Sequence, residues 1–141
     1  MRLATFYGPE MRGALAPAVF LDKAHNNEPI EIHGDGKQTR TMTYVDDIVN
    51  GIVTITESDK KYLVVNITTE ETVSVLDMVK YAKEITQNDT RVIHVDDRDG
   101  QIYKEVIHSR KLQSMGWTAQ TKFYDGMKKS YEFYKENNYS W

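Results

Sequence analysis

The chain has 141 residues, 18 basic and 21 acidic side chains, a formal net charge of −3 and 40% hydrophobic residues. That length suits one domain over residues 1–141, able to bury about two-thirds of the surface its unfolded chain would expose. An aromatic fraction of 11% excludes a disordered tail, and a pI near 5.8 argues against a broad nucleic-acid footprint while leaving room for a small anion site. The sequence has no cysteine, which removes disulfides, thiolate zinc sites and cysteine nucleophiles. The N-terminus lacks the basic and apolar regions of a signal peptide, and the longest apolar run, Leu15 to Leu21, is too short to cross a bilayer. The expectation is a soluble, cytoplasmic protein that binds neither nucleic acid nor membrane.

In chain order, Arg2 to Phe6 reads as a short strand ended by the turn Tyr7-Gly8-Pro9. A helix begins near Pro17, with Val19, Phe20 and Ala24 on one face, and stops at Asn26 to Pro29. Ile30 and Ile32 alternate with Glu31 and His33 as in a half-buried strand; Gly34-Asp35-Gly36 then reads as a hairpin reversal delivering Arg40 to a strand through Thr41 to Tyr44. Asp46 or Asp47 is expected to cap a helix whose apolar positions are Ile48, Val49, Ile52 and Val53. Tyr62 to Ile67 is β-rich, and Ser74 with Asp77 forms a capping box ahead of a helix through Ile85. Arg91 to Val95 is a strand. Helices over Ser109 to Met115 and Phe123 to Tyr134 close the chain, the second with Phe123, Met127, Tyr131 and Tyr134 on one face. Alternating strands and helices make the fold class α/β.

Several constellations fail on spacing. His25, His33, His94 and His108 have no zinc-like separation, and Asp96 to Gly100 is no calcium loop because Val95 and Val106 occupy the first and twelfth positions. Tyr131 and Lys135 have the Tyr-x-x-x-Lys spacing by which a lysine lowers a tyrosine pKa for acid–base work. Tyr131, however, lies on an apolar stripe, and no dinucleotide fingerprint precedes it. Gly34 to Arg40 spells neither a P-loop nor a dinucleotide turn. Arg40, placed after that turn, suits either a two-pronged grip on phosphate oxygens or a surface ion pair with a neighbouring acid, and spacing alone does not decide.

An ordered series of segments carries a resemblance. Arg2 to Pro9, Pro29 to Arg40 and Tyr44 to Gly51 are followed by Val65-Asn66-Ile67, then Ser109 to Lys111 and Met115-Gly116-Trp117. Together they resemble the C-terminal half of NAD-dependent sugar-nucleotide epimerases and dehydratases, the extended short-chain dehydrogenase/reductase family that includes UDP-glucose 4-epimerase. The fold this implies is a small C-terminal substrate-binding lobe without the Rossmann NAD-binding half.

The resemblance implies that the chain holds a UDP- or dTDP-sugar. Arg40 and Arg98 match arginines that contact the diphosphate; Glu31, Ile32 and His33 match the strand bordering the base; Leu15 matches an apolar residue beside the nucleotide. Thr5 stands where many members carry Asn, Gln101 where an acid often meets the ribose, Ala14 for a polar contact and Met42 for an aromatic one. The family's Gly-x-x-Gly-x-x-Gly turn and catalytic Tyr-x-x-x-Lys match nothing here, so a truncated, inactive fragment is expected, with no catalytic or metal residue. NAD would serve the complete enzyme and not bind this chain. The alternative is a non-catalytic binding or regulatory subunit that pairs with a separate Rossmann chain. On either reading the Arg2 strand forms an open, partly apolar edge that favours homo-oligomers or a Rossmann-domain partner.

Overall fold

The computed structural model describes residues 1–59 and 64–137. Its elements run β1 (Arg2–Leu3), β2 (Phe6–Tyr7), α1 (Ala16–His25), β3 (Ile30–His33), β4 (Thr39–Arg40), β5 (Thr43–Tyr44), α2 (Val45–Thr56), β6 (Asn66–Ile67), β7 (Val73–Ser74), α3 (Val75–Thr86), β8 (Val92–Val95), α4 (Arg110–Gln113) and α5 (Phe123–Glu136). The fold is α/β. The expected strand from Tyr62 starts outside the described residues; within its described part, Asn66–Ile67 form a paired strand.

Strands β1–β6, β2–β5 and β3–β8 pair in parallel, and β4–β7 antiparallel. Two expectations are corrected here. The first strand is not continuous: it breaks at Ala4 and Thr5, because Arg2–Leu3 pairs with β6 while Phe6–Tyr7 pairs with β5. The second is the hairpin. Gly34 and Gly36 do reverse the chain, with φ of 69° and 75°, but β3 and β4 do not pair with each other. The carbonyls of Gly36 and Gln38 instead accept the N–H groups of Leu76 and Val75 at 3.1 and 3.2 Å, tying the reversal to the start of α3.

α1 begins with Pro17 in its first turn, where the missing N–H leaves no intrahelical acceptor unfilled. Ser74 caps α3 through the full reciprocal box with Asp77, as the sequence implies. α2 differs from expectation. Its N-cap is Tyr44, and Asp47 lies inside the first turn, buried, accepting the backbone N–H groups of Gln120 and Thr121 at 2.9 Å each. Ile48 and Gly51 face inward, whereas Val49 and Val53 are about half exposed, at 51% and 45%.

The larger core gathers Tyr7, Phe20, Leu21, Ile30, Ile32, Met78, Phe123 and Met127, between α1, α3, α5 and β3. Each such side chain contributes about 1.5–3 kcal/mol on burial. The Tyr7 hydroxyl reaches the Phe123 carbonyl at 3.1 Å, and burial pushes its pKa up. Gly126 lets it pass, since a Cβ there would collide with the Tyr7 hydroxyl. A smaller cluster, Ile48, Ile67, Leu112 and Trp117, joins α2, β6 and α4.

Candidate functional site

One cavity of about 410 Å³ lies where α1, β3, β4, α3 and the segment after β8 meet. The structure brings all eight residues singled out from the sequence, Thr5, Leu15, Glu31, Ile32, His33, Arg40, Arg98 and Gln101, into its wall. Ala14 and Met42 line it too.

Arg40 sits on β4 between β7 and a bridge from Thr39 to Lys104. Its Nη1 donates to the carbonyls of Thr39 (2.9 Å) and Ile102 (2.7 Å). Among the described residues it makes no ion pair, which removes the surface-pair alternative. Carbonyl dipoles fix the guanidinium without neutralising it, so its charge stays available to an anion. Arg98 lies on the rim across a turn closed by Gln101 N–H to Arg98 C=O at 3.1 Å, which carries both residues to the same wall. Its guanidinium bonds to none of the described residues.

Ile30 N–H at the start of β3 donates to the Arg91 carbonyl just before β8, and Gly34 N–H just after β3 donates to the Val95 carbonyl, so the alternate residues Glu31 and His33 turn their backbone groups the other way. That edge carries no second strand among the described residues. The His33 carbonyl there accepts Gln38 Nε2 at 3.0 Å. Thr5 is exposed at the switch between β1 and β2, with its carbonyl accepting Thr43 N–H at 3.0 Å. Leu15, the N-cap of α1, contributes an apolar wall with Val19 and Phe20.

Three polar lining residues are not among those the sequence singled out: Arg12, Lys23 and Gln38. Lys23 had a signal, since it falls one turn after Val19 on an otherwise apolar stripe. Gln38 had one as well, two residues before Arg40 and so on the same strand face. Arg12, in an irregular loop, had none. With them the wall carries four cationic side chains, Arg12, Lys23, Arg40 and Arg98, against the single carboxylate of Glu31. Lys23 Nζ is held by the Pro29 carbonyl at 3.2 Å; the Arg12 carbonyl accepts Leu15 N–H at 3.1 Å, while its guanidinium has no partner among the described residues. The arrangement can neutralise a multiply charged anion beside a strip of backbone donors and acceptors.

The competing constellations are occupied elsewhere. Tyr131 hydroxyl lies 2.9 Å from His25 Nδ1, and Lys135 Nζ stands 5.7 Å from the centre of the Tyr131 ring, over its face. Burial raises the Tyr131 pKa, the wrong direction for a hydroxyl-activating phenolate. The other imidazoles each have a protein partner: His33 with Asp96 carbonyl, His94 with Gly34 carbonyl and His108 with Glu70. No group of three metal-ligating side chains converges among the described residues. None of the described helices is long and apolar enough to cross a membrane.

Comparison with known proteins gives a consistent picture. A model of the NAD dependent epimerase/dehydratase family matches residues 1–68. The chain is 29% identical over 147 residues to dTDP-D-glucose 4,6-dehydratase of Bos taurus, covering 99% of this chain and 41% of that protein. It superposes on the UDP-glucose 4-epimerase of Thermotoga maritima, solved with UDP-glucose, with a TM-score of 0.89 at 27% identity, covering 98% of this chain and 46% of the other. The UDP-glucuronic acid 4-epimerase of Bacillus cereus, solved with UDP-glucuronic acid and NAD, gives 0.87 at 27% identity, over 96% and 44%. The chain thus spans less than half the length of these relatives.

Proposed function

This chain belongs to the NAD-dependent epimerase/dehydratase family, and we propose that its cavity is the part of such an enzyme that binds the nucleotide diphosphate of a UDP- or dTDP-sugar. The observation that carries the reading is the pair Arg40 and Arg98, both in one wall and neither in an ion pair among the described residues. Two guanidiniums match the two charges of a diphosphate, and forked contacts of this kind are worth about 1.5–3 kcal/mol each. Glu31 and His33 on the free edge of β3 suit the donor–acceptor edge of a pyrimidine, Leu15 its face, Gln101 the ribose hydroxyls and Thr5 a phosphate or sugar oxygen.

Thr5, Arg12 and Leu15 also line a second cavity of about 510 Å³, formed with Leu3 to Met11 and Val45. The sugar extends toward that junction on this reading. Arg12 is a third unpaired guanidinium there, so UDP-glucuronate, which adds a carboxylate, is expected to bind more tightly than UDP-glucose.

NAD would supply the hydride acceptor in the complete enzyme. The residues of this chain do not fit its site: the sequence has no Gly-x-x-Gly-x-x-Gly turn, and Tyr131 is held by His25 within the packed face of α5. The role assigned to the chain is binding and orientation. Calorimetric titration with UDP, UDP-glucose, UDP-glucuronate, dTDP-glucose and NAD tests it. UDP-sugar binding that falls about tenfold to a hundredfold in Arg40→Ala, without NAD binding, is the expected outcome; tight NAD binding overturns it.

A second reading, a non-catalytic subunit that pairs with a separate Rossmann chain, is favoured by one observation. β1 has a neighbour on one edge only among the described residues, and Leu3 in that strand and Phe6 in β2 are exposed. A defined complex with a dinucleotide-binding chain, gaining hydride transfer that neither has alone, would favour this reading.

A further inference from the structure

We propose that Asp97 and Tyr103 are positioning residues that hold Arg98 in the cavity wall, an inference that rests on the nucleotide-sugar reading of that cavity. The Asp97 carboxylate joins two parts of the segment after β8. One oxygen accepts the Arg98 backbone N–H at 2.9 Å; the other accepts the Tyr103 hydroxyl in a short hydrogen bond. Gly34 makes room for it. A Cβ at that position would stand 3.0–3.2 Å from the carboxylate atoms, on a backbone already at φ 69°. The segment is then fastened to β4, the strand that carries the other arginine: Tyr103 C=O accepts Thr39 N–H at 2.9 Å, Ile102 C=O accepts Arg40 Nη1 at 2.7 Å, and Glu105 C=O accepts Thr41 Oγ1 at 3.2 Å. The bond to Asp97 is also the main cause raising the Tyr103 pKa.

The Arg98 guanidinium has no partner of its own among the described residues, so its place on the wall depends on the anchoring of its backbone. A long cationic side chain loses rotamer freedom when it grips a ligand, and a fixed backbone limits what more must be ordered. Charge alone predicts the opposite role for Asp97. A carboxylate beside an anion-binding arginine repels the diphosphate, and its removal should then strengthen binding. The sign of the effect separates the two accounts.

The experiment compares Asp97→Asn and Tyr103→Phe with the unaltered chain, titrating UDP and uridine and measuring hydrogen exchange at the Arg98 amide. UDP affinity is expected to fall about three- to tenfold in each variant, with uridine affinity unchanged and exchange at Arg98 faster. In an Arg98→Ala background, Asp97→Asn is expected to add no further loss. UDP affinity that is unchanged or higher in Asp97→Asn overturns the positioning role, as does an equal loss for UDP and uridine. If the unaltered chain binds no UDP, the nucleotide-sugar reading falls instead, and the exchange rate alone decides whether Asp97 anchors Arg98.

Discussion

The wall of the cavity and the surface of β1, β2 and α2 leave different groups exposed. Around the cavity the surplus is charge: Arg12, Lys23, Arg40 and Arg98 face one carboxylate, and Lys23 and Arg40 are steadied by backbone carbonyls. On β1, β2 and α2 the surplus is apolar, with Leu3, Phe6, Val49 and Val53 each 44–51% exposed. A hydrated charge costs little while open to water, so such a wall can stand ready for an anion. Exposed apolar area carries about 25 cal/mol per Å² wherever it stays wet, so the second surface gains by being covered. The first surface keeps its charge open to water; the second exposes apolar area that packing would cover.

The predictions that break or sharpen this contrast begin with Asp47, which ties α2 to the 120–121 turn. Asp47→Ala leaves two backbone N–H groups without their carboxylate, and urea unfolding should register a loss of about 2–4 kcal/mol. UDP binding by the folded fraction should persist, because Asp47 is outside the cavity wall. Removing the α3 cap with Ser74→Ala should lower stability by about 1 kcal/mol in the same assay. Loss of UDP binding in that variant at temperatures where it stays folded would mean that α3 does more than support Val75 and Met78.

Val49→Lys combined with Val53→Lys should change stability by less than about 0.5 kcal/mol, since both side chains are already half in water. Sedimentation at high protein concentration should show less self-association in this variant. A chain that is monomeric before the change would break the contrast on the apolar side.

The smallest effect concerns pH. The hydrogen bond from His108, helped by Ser109 N–H and Gln113, lowers the Glu70 pKa against an opposing desolvation. A carboxyl whose folded pKa is depressed stabilises the fold above its ordinary value of about 4.3, and that contribution is lost as pH falls through the folded value. Because Glu70 is largely exposed, Glu70→Gln should flatten the acid limb of the stability curve by only a few tenths of a kcal/mol.

Much of the fold was legible locally. The Ser74–Asp77 box, the Pro17 helix start and the Ile30/Ile32 alternation each depend on contacts within four residues, and each formed as read. Strand pairing was not legible, because all eight described strands pair beyond any local turn and six of them have only two residues, too few for alternation to specify a partner. The inward face of α2 was also hidden. Ile48, Val49, Ile52 and Val53 are apolar on adjoining faces, and periodicity cannot say which one meets a core.

By itself the amino-acid sequence determined the presence and order of the helices, the α/β alternation, the family resemblance and the expectation of two arginines on a diphosphate, because these depend on neighbouring residues or on an ordered series of motifs. Tertiary structure alone decided that Arg40 is held by carbonyls rather than by an acid, that Gln38 is buried against β3, and that Arg12 and Lys23 join the same wall. It also decided that Asp97 reaches both Arg98 and Tyr103 across the space left by Gly34. The physical reason is that a polar side chain takes its role from the groups folding brings within about 3 Å, whether across a turn, as from Asp97 to Tyr103, or from far along the chain, as from Arg40 to Ile102.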